Sequence, residues 1–300
     1  MSRKERDRIS KMRVMLCDAL ILVVIGFSNA NGDENPLAKM LTSASKAQHL
    51  ASPSHAQLKT VEKLFLQTFR NPRDTSLRDV WSKVEWELTT IVKDEQNFVV
   101  LHKKDGGSLY VVRCAQALPI ALQSPHSFYD KHTRRITLQM FLASNFRAAA
   151  WNTIKRSTID AAHTHYHYLN AFTQAFAISD QDASVVQIHG FSNQRRKRPP
   201  STTADLIVSN SSRYPEQFSR MVATRLKSAF PTRNVYLFPL DVQELGGTTN
   251  VQAQVMRDAG LARFLHLEFN YDFRRQLRSD RELRGELIKL LSESYRSSLE

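Results

Sequence analysis

Short apolar segments rich in β-branched and aromatic residues recur at 120–123, 185–189, 206–209, 235–238 and 264–269. Stretches of helical periodicity lie between and after them, at 159–178, 214–229, 251–258 and 281–295. Strands that read apolar on both faces must be buried on both faces, so they require helices on either side of one sheet. This constraint predicts an α/β domain whose mixed, largely parallel sheet is flanked by helices on both faces. The 300 residues are ample for one such domain with a single core.

Ahead of this pattern, Leu58, Val61, Leu64, Phe65 and Phe69 recur at helical spacing and stop near Asn71-Pro72, and a shorter helix is expected over 77–88. Residues 98–102 and 109–114 then flank Lys104-Asp105-Gly106-Gly107, where the glycines suit the positive φ of a hairpin turn. Residues 55–300 therefore read as one domain with an N-terminal helical and hairpin lead-in. The small, polar stretch 31–54 reads as a flexible lead.

Residues 1–13 carry six Lys or Arg against two acids and precede the apolar run VMLCDALILVVIGFS. This is the order of a secretory signal peptide. Ser28-Asn29-Ala30 supplies small residues for a peptidase, so residues 1–30 are expected to be removed after Ala30. The apolar run at 14–27 is shorter than the roughly 20 residues that span a bilayer comfortably, which disfavours a retained anchor. A periplasmic or secreted location follows as the expectation. Cys17 and Cys114 are the chain's cysteines, so cleavage would leave one thiol and exclude an internal disulfide.

The formal charge of +13 is spread along the chain, with one dense run at Arg195-Arg196-Lys197-Arg198 before Pro199-Pro200. No aromatic interleaving or nucleic-acid motif accompanies it, so nucleic acid is not expected as a partner. An anionic envelope polymer or acidic substrate suits the charge better.

Ligands of open α/β sheets bind beyond the carboxyl ends of strands, so the polar residues there carry the functional signal. The 120–123 segment leads into Ser124-Pro125-His126-Ser127-Phe128-Tyr129-Asp130. Ile188-His189-Gly190 ends the next, and the last contains His266-Leu267-Glu268. A hydrolytic zinc needs about three imidazole or carboxylate ligands and an open position. His126, Asp130 and His189 supply that set if the chain turns helically after Pro125 and the imidazoles of His126 and His189 come within about 4 Å. Glu268 shares one strand face with His266 and Asn270 and is the candidate general base. A strand-end histidine taken singly is more often a structural hydrogen-bonder; the set carries the argument.

Two further features are weighed beside it. His163, His165 and His167 fall in a predicted helix; His163 and His167 would share a face, but without the glutamate of the zinc-protease helix motif, and His163 is more suited to supporting a ligand. Leu245-Gly246-Gly247-Thr248-Thr249-Asn250 turns into a helix, where it would hold an anionic group at the helix N-terminus or simply cap it.

The segments ALPIALQSPHSFYD at 117–130, Thr133, Asp160-Ala161-Ala162-His163, Val186-Gln187-Ile188-His189-Gly190-Phe191 and Phe264-Leu265-His266-Leu267-Glu268 occur in an order that resembles the N-formylglutamate amidohydrolase-like family and its zinc carboxypeptidase relatives. The resemblance covers roughly residues 115–295. It implies a phosphorylase/hydrolase-like fold, one zinc, and hydrolysis of an amide near a carboxylate in a small peptide or N-acyl amino acid, including one derived from the cell wall. His126, Asp130 and His189 would be ligands and Glu268 the base. The carboxypeptidase relatives usually place a glutamate three residues after the first histidine, whereas Asp130 lies four residues on. No clean Asn-Arg pair for a substrate carboxylate is evident; Arg213, Arg274 and Arg275 are the candidates, with Asn250 in the loop before the helix. The competing class is a non-catalytic module of the same fold that binds an anionic glycan or peptide.

Overall fold

Residues 86–113 fold by local rules into an antiparallel meander. β1 (Trp86–Lys93), β2 (Gln96–Lys103) and β3 (Ser108–Arg113) pair in sequence order. Asp94 and Glu95, both at positive φ, close the first turn, and Gly106 and Gly107 at φ 86° and 102° bring the chain into β3. The computed structural model describes residues 35–44, 52–103 and 106–300. The leader, its cleavage site after Ala30 and the Lys104-Asp105 half of the second turn lie outside the described residues.

The meander joins β4 (Leu118–Ser124), β5 (Phe146–Asn152), β6 (Ser184–Gly190), β7 (Leu206–Ser209), β8 (Val235–Leu237) and β9 (Phe264–Phe269) in one nine-stranded sheet of order β1-β2-β3-β5-β4-β6-β9-β7-β8. The α/β class and mixed sheet agree with the sequence reading, but the sheet is not largely parallel. Four neighbouring pairs are parallel (β5–β4, β4–β6, β6–β9, β7–β8) and four antiparallel. The connection from β6 to β7 holds only the short 3₁₀ turn Asn193–Arg195. With no crossover helix to carry the chain back to the starting edge, β7 runs opposite to β6 and β9.

Helices cover both faces. On one lie α1 (Pro36–Ala44), α4 (Thr133–Ala143), α6 (Gln217–Ala229), α8 (Tyr271–Ser279) and α9 (Arg281–Ser297), packed over Val100, Val111, Leu122, Val186, Ile188, Leu265 and Leu267. On the other lie α2 (His55–Arg70), α3 (Leu77–Ser82), α5 (Tyr168–Ser179) and α7 (Val251–Asp258), over Val99, Tyr110, Val112, Ala148 and Val185. The stretch read as a flexible lead contains α1, whose Leu37 and Leu41 are buried in the first core. The helix expected over 77–88 stops at Ser82; Glu85 turns at positive φ and Trp86 begins a strand with alternating burial. Among the described residues no helix is long and apolar enough to cross a membrane.

The second core centres on Phe65 of α2. Its ring meets Trp81, Trp86, Tyr110 and Phe172 edge-on at centroid distances of 4.9–5.8 Å. Such contacts add to the large apolar area each ring buries. Phe65→Ala leaves a cavity between α2 and the sheet, and urea denaturation is expected to show a loss of about 3–5 kcal/mol relative to wild type.

Candidate metal centre

The apolar layer of the second face does not continue to the strand ends. Gln123 of β4, Gln187 and His189 of β6, and His266 and Glu268 of β9 replace it with a buried polar layer. β6 and β9 run parallel with Gln187 opposite His266 and His189 opposite Glu268, which places these four side chains on one face.

His126 and Asp130 enter from the loop after β4. After Pro125 the chain makes one helical turn, with Asp130 N and Tyr129 N both donating to His126 O, so both side chains face the same way. Asn152 at the end of β5 donates to Pro125 O, and Thr133 at the start of α4 donates to Asp130 O, pinning the turn at both ends. The result joins the three residues singled out from the sequence. His126 Nδ1 lies 3.2 Å from His189 Nδ1 and 3.4 Å from Asp130 Oδ2, and His189 Nδ1 lies 3.8 Å from the same oxygen. All three residues are at most 5% exposed. They form a group that could hold a metal ion, and His189, His266 and Glu268 form a second, with ligand atoms within 4.8 Å of one another.

The hydrogen bonds around the first group define where its protons are. His126 Nε2 lies 2.8 Å from Asp160 Oδ1, and Arg156 donates to the other oxygen of that carboxylate. Burial disfavours the charge on Asp160, but the His126 hydrogen bond and the positive neighbours His126 and Arg156 prevail and hold it well below the usual carboxylate range. Asp160 therefore accepts and His126 Nε2 donates. His189 Nε2 likewise faces an acceptor, Gln187 Oε1 at 3.0 Å. In the neutral imidazoles both Nδ1 atoms are then lone pairs, and they converge on a carboxylate oxygen that already accepts from Gly190 N at 3.0 Å. Three electron-rich atoms converge in a buried site, an arrangement that a proton or a metal ion between them would stabilise. When a proton fills that role it sits on His126: burial opposes its charge, but Asp130 and Asp160 raise its pKa above the ordinary value. His189 is driven well below, first by burial and then by the neighbouring imidazoles.

The remaining candidates fall elsewhere. Arg274 is buried and already engaged: its guanidinium donates to the carbonyls of Phe269, Asn270, Lys131 and Phe191. It ties the loop after β4 to the ends of β6 and β9 and is not free to take a substrate carboxylate. Arg275 faces solvent on α8 and pairs with Asp272, and Arg213 is exposed on the loop after β7. Asn250 is 2% exposed; its Oδ1 caps α7 by accepting from Ala253 N and its Nδ2 donates to Gln187, so the Asn250 side chain serves as the helix cap. The histidine cluster at 163–167 is not helical, because α5 begins only at Tyr168. His163 is exposed beside Thr249 O, and His167, whose pKa burial pushes down to about 4, caps α5.

Gln123, Gln187, Gln252 and Asp160 have no role in the sequence reading, although Gln123, Gln187 and Asp160 lie within the segments that carry the family resemblance. The signal for Gln123 and Gln187 was a primary amide inside an otherwise apolar strand, which cannot be buried without partners; Gln252, on α7, carried no such signal.

No family model and no curated protein matches this sequence. Among solved structures, the chain is similar to the crystal structure of gene product Atu2144 from Agrobacterium tumefaciens at 13% identity and a TM-score of 0.46, over 61% of this chain and 92% of that one.

Gly190, the last residue of β6, lies directly against the Arg274 guanidinium. A Cβ there would lie 2.4 Å from the Arg274 guanidinium carbon. Gly190→Ala must push that clamp aside beside Asp130. It is expected to cost about 1–3 kcal/mol in urea unfolding, as overpacking of a tight site does.

Proposed function

We propose that this chain is a zinc-dependent hydrolase that cleaves an amide or peptide bond near a carboxylate in a small peptide or N-acyl amino acid of the bacterial envelope. The observation that carries the reading is the convergence of His126 Nδ1, His189 Nδ1 and Asp130 Oδ2. A four-coordinate zinc with bonds of about 2.0–2.2 Å holds its ligand atoms about 3.3–3.6 Å apart. The separations of 3.2, 3.4 and 3.8 Å bracket that spacing. Two imidazoles and one carboxylate also leave a fourth position open, as hydrolytic zinc sites do.

Zinc held there would supply Lewis acidity, lowering the pKa of water and polarising a carbonyl. The chain's own groups do the rest. Glu268 has a carboxylate oxygen within 4.8 Å of a ring nitrogen of His189, and its Oε2 is buried without a hydrogen-bond partner. It accepts a proton from the attacking water and returns it to the leaving nitrogen. His266 Nε2, 3.2 Å from Glu268 Oε1, orients that carboxylate. The run Arg195-Arg196-Lys197-Arg198 leaves the end of β6 a few residues beyond His189, with Arg196 near Glu244, and favours a substrate that carries negative charge. The signal-peptide order of residues 1–30 supports an envelope location.

Elemental analysis of the purified protein is expected to find about one zinc per chain, lost in His126→Ala and His189→Ala. Zinc retention should fall as pH is lowered, because a proton on His126, favoured by its raised pKa, competes for the same lone pair. Glu268→Gln should keep the metal and lose about 10²–10⁴-fold in amide hydrolysis. A well-folded wild type that takes up no zinc when it is supplied would overturn the hydrolase and leave a binding module.

A further inference from the structure

We infer that Gln187 is a positioning residue that locks His189 in the Nε2–H tautomer, so that Nδ1 is the nitrogen presented to the metal. The role of Nδ1 as a ligand rests on the zinc reading; the tautomer does not.

Backbone atoms, whose hydrogen-bonding sense is fixed, set the orientation of each side-chain amide around Gln187. Asn170 Nδ2 donates to the carbonyls of Thr164 and His165, so Asn170 Oδ1 faces Gln252. Gln252 Nε2 donates to Ala161 O and to that Asn170 oxygen, which turns Gln252 Oε1 toward Gln187. From a second direction, Thr173 gives its hydroxyl proton to Leu169 O and accepts from Gln123 Nε2, which turns Gln123 Oε1 toward Gln187 as well. Gln187 Nε2 donates to both oxygens, each at 2.9 Å. From a third direction, the helix cap fixes Asn250: its Oδ1 accepts from Ala253 N, so its Nδ2 donates to Gln187 Oε1. Three anchored routes assign the Gln187 amide the same way round, with its oxygen facing His189 Nε2 at 3.0 Å.

Reversing that amide would set N–H against N–H and oxygen against oxygen at several contacts at once. Gln123, Gln187 and Gln252 are fully buried, and water is not at hand to relieve the mismatch. The only group in the relay free to adapt is the imidazole, which must place its proton on Nε2. Its lone pair is thereby aimed at His126 and Asp130. Groups behind a metal ligand commonly set its tautomer and alter metal affinity about 10–100-fold when removed.

The test is two-bond ¹H–¹⁵N correlation of histidine-labelled, metal-free full-length protein at neutral pH, with the His189 signals assigned by their loss in His189→Asn. A protonated Nε2 and an unprotonated Nδ1 in the wild type support the inference; a proton on Nδ1 overturns it. Gln187→Met, close in shape but without the acceptor, should give a mixture of tautomers and bind zinc about 10–100-fold more weakly. Retention of the single wild-type tautomer in Gln187→Met would overturn the role of Gln187. If Gln187→Met does not fold, the wild-type spectrum still decides the tautomer, and Gln123→Met, which removes only one anchor, should broaden the His189 signals toward a mixture; an unchanged spectrum there would overturn the relay. A wild type with the Nε2–H tautomer that binds no zinc supports the tautomer and overturns the metal reading alone.

Discussion

Two imidazole lone pairs and a carboxylate oxygen, buried within 3.8 Å of one another, are the constraint around which the rest of this structure is arranged. Such a cluster repels itself unless a cation lies within it, so the fold must hold it together by other means. It does so from three sides. Pro125 and the helical turn after it fix His126 and Asp130, Gly190 N–H holds the Asp130 oxygen, and Arg274 binds the loop after β4 to the ends of β6 and β9 through four backbone carbonyls. Burial draws the Arg274 pKa below its ordinary value, and the nearby Asp130 and Glu268 carboxylates oppose that shift by favouring the charged guanidinium. An arginine that looked like a substrate anchor is thus part of the frame.

The parallel strands that matter are few and central. β4, β6 and β9 run side by side with their carboxyl ends together, and the site occupies those ends. The antiparallel strands on either side extend the sheet without touching the chemistry. Placing the polar layer at one end lets the remainder of the same face stay apolar, where Phe65 gathers the aromatic rings of α3, β1, β3 and α5.

The central strands and the meeting of His126, Asp130 and His189 were legible in the sequence because each carries a local signature: an apolar run, a proline that sets a turn, a histidine at a strand end. Strand β5 was not, since Phe-Arg-Ala-Ala-Ala-Trp-Asn has weak intrinsic preference for a strand; it becomes one because β3 and β4 pair with it on both edges. The helix over 159–167 failed for the opposite reason. Its local pattern is helical, but Asn170 and Gln252 take the carbonyls of Ala161, Thr164 and His165, and Asp160 is drawn to His126. Arg274 and Arg275 are neighbours in sequence and opposite in fate, one buried and one exposed. Only the rotation of α8 against the sheet decides which, and no single residue type encodes that.

His189 belongs to both groups that could hold a metal, and this limits how the site is used. An imidazole offers two nitrogens. One is committed to Gln187, and the other already faces His126 and Asp130. Filling both groups at once would require His189 to lose its Nε2 proton and Gln187 to give up an acceptor role that three anchored partners impose on it. A single ion at His126, Asp130 and His189 needs no such change. It also leaves Glu268 paired with His266 through one carboxylate oxygen, while the other is buried without a hydrogen-bond partner. On the proposed reading a general base has to be close to the metal without being bound by it, and a carboxylate left outside the ligand set meets that requirement.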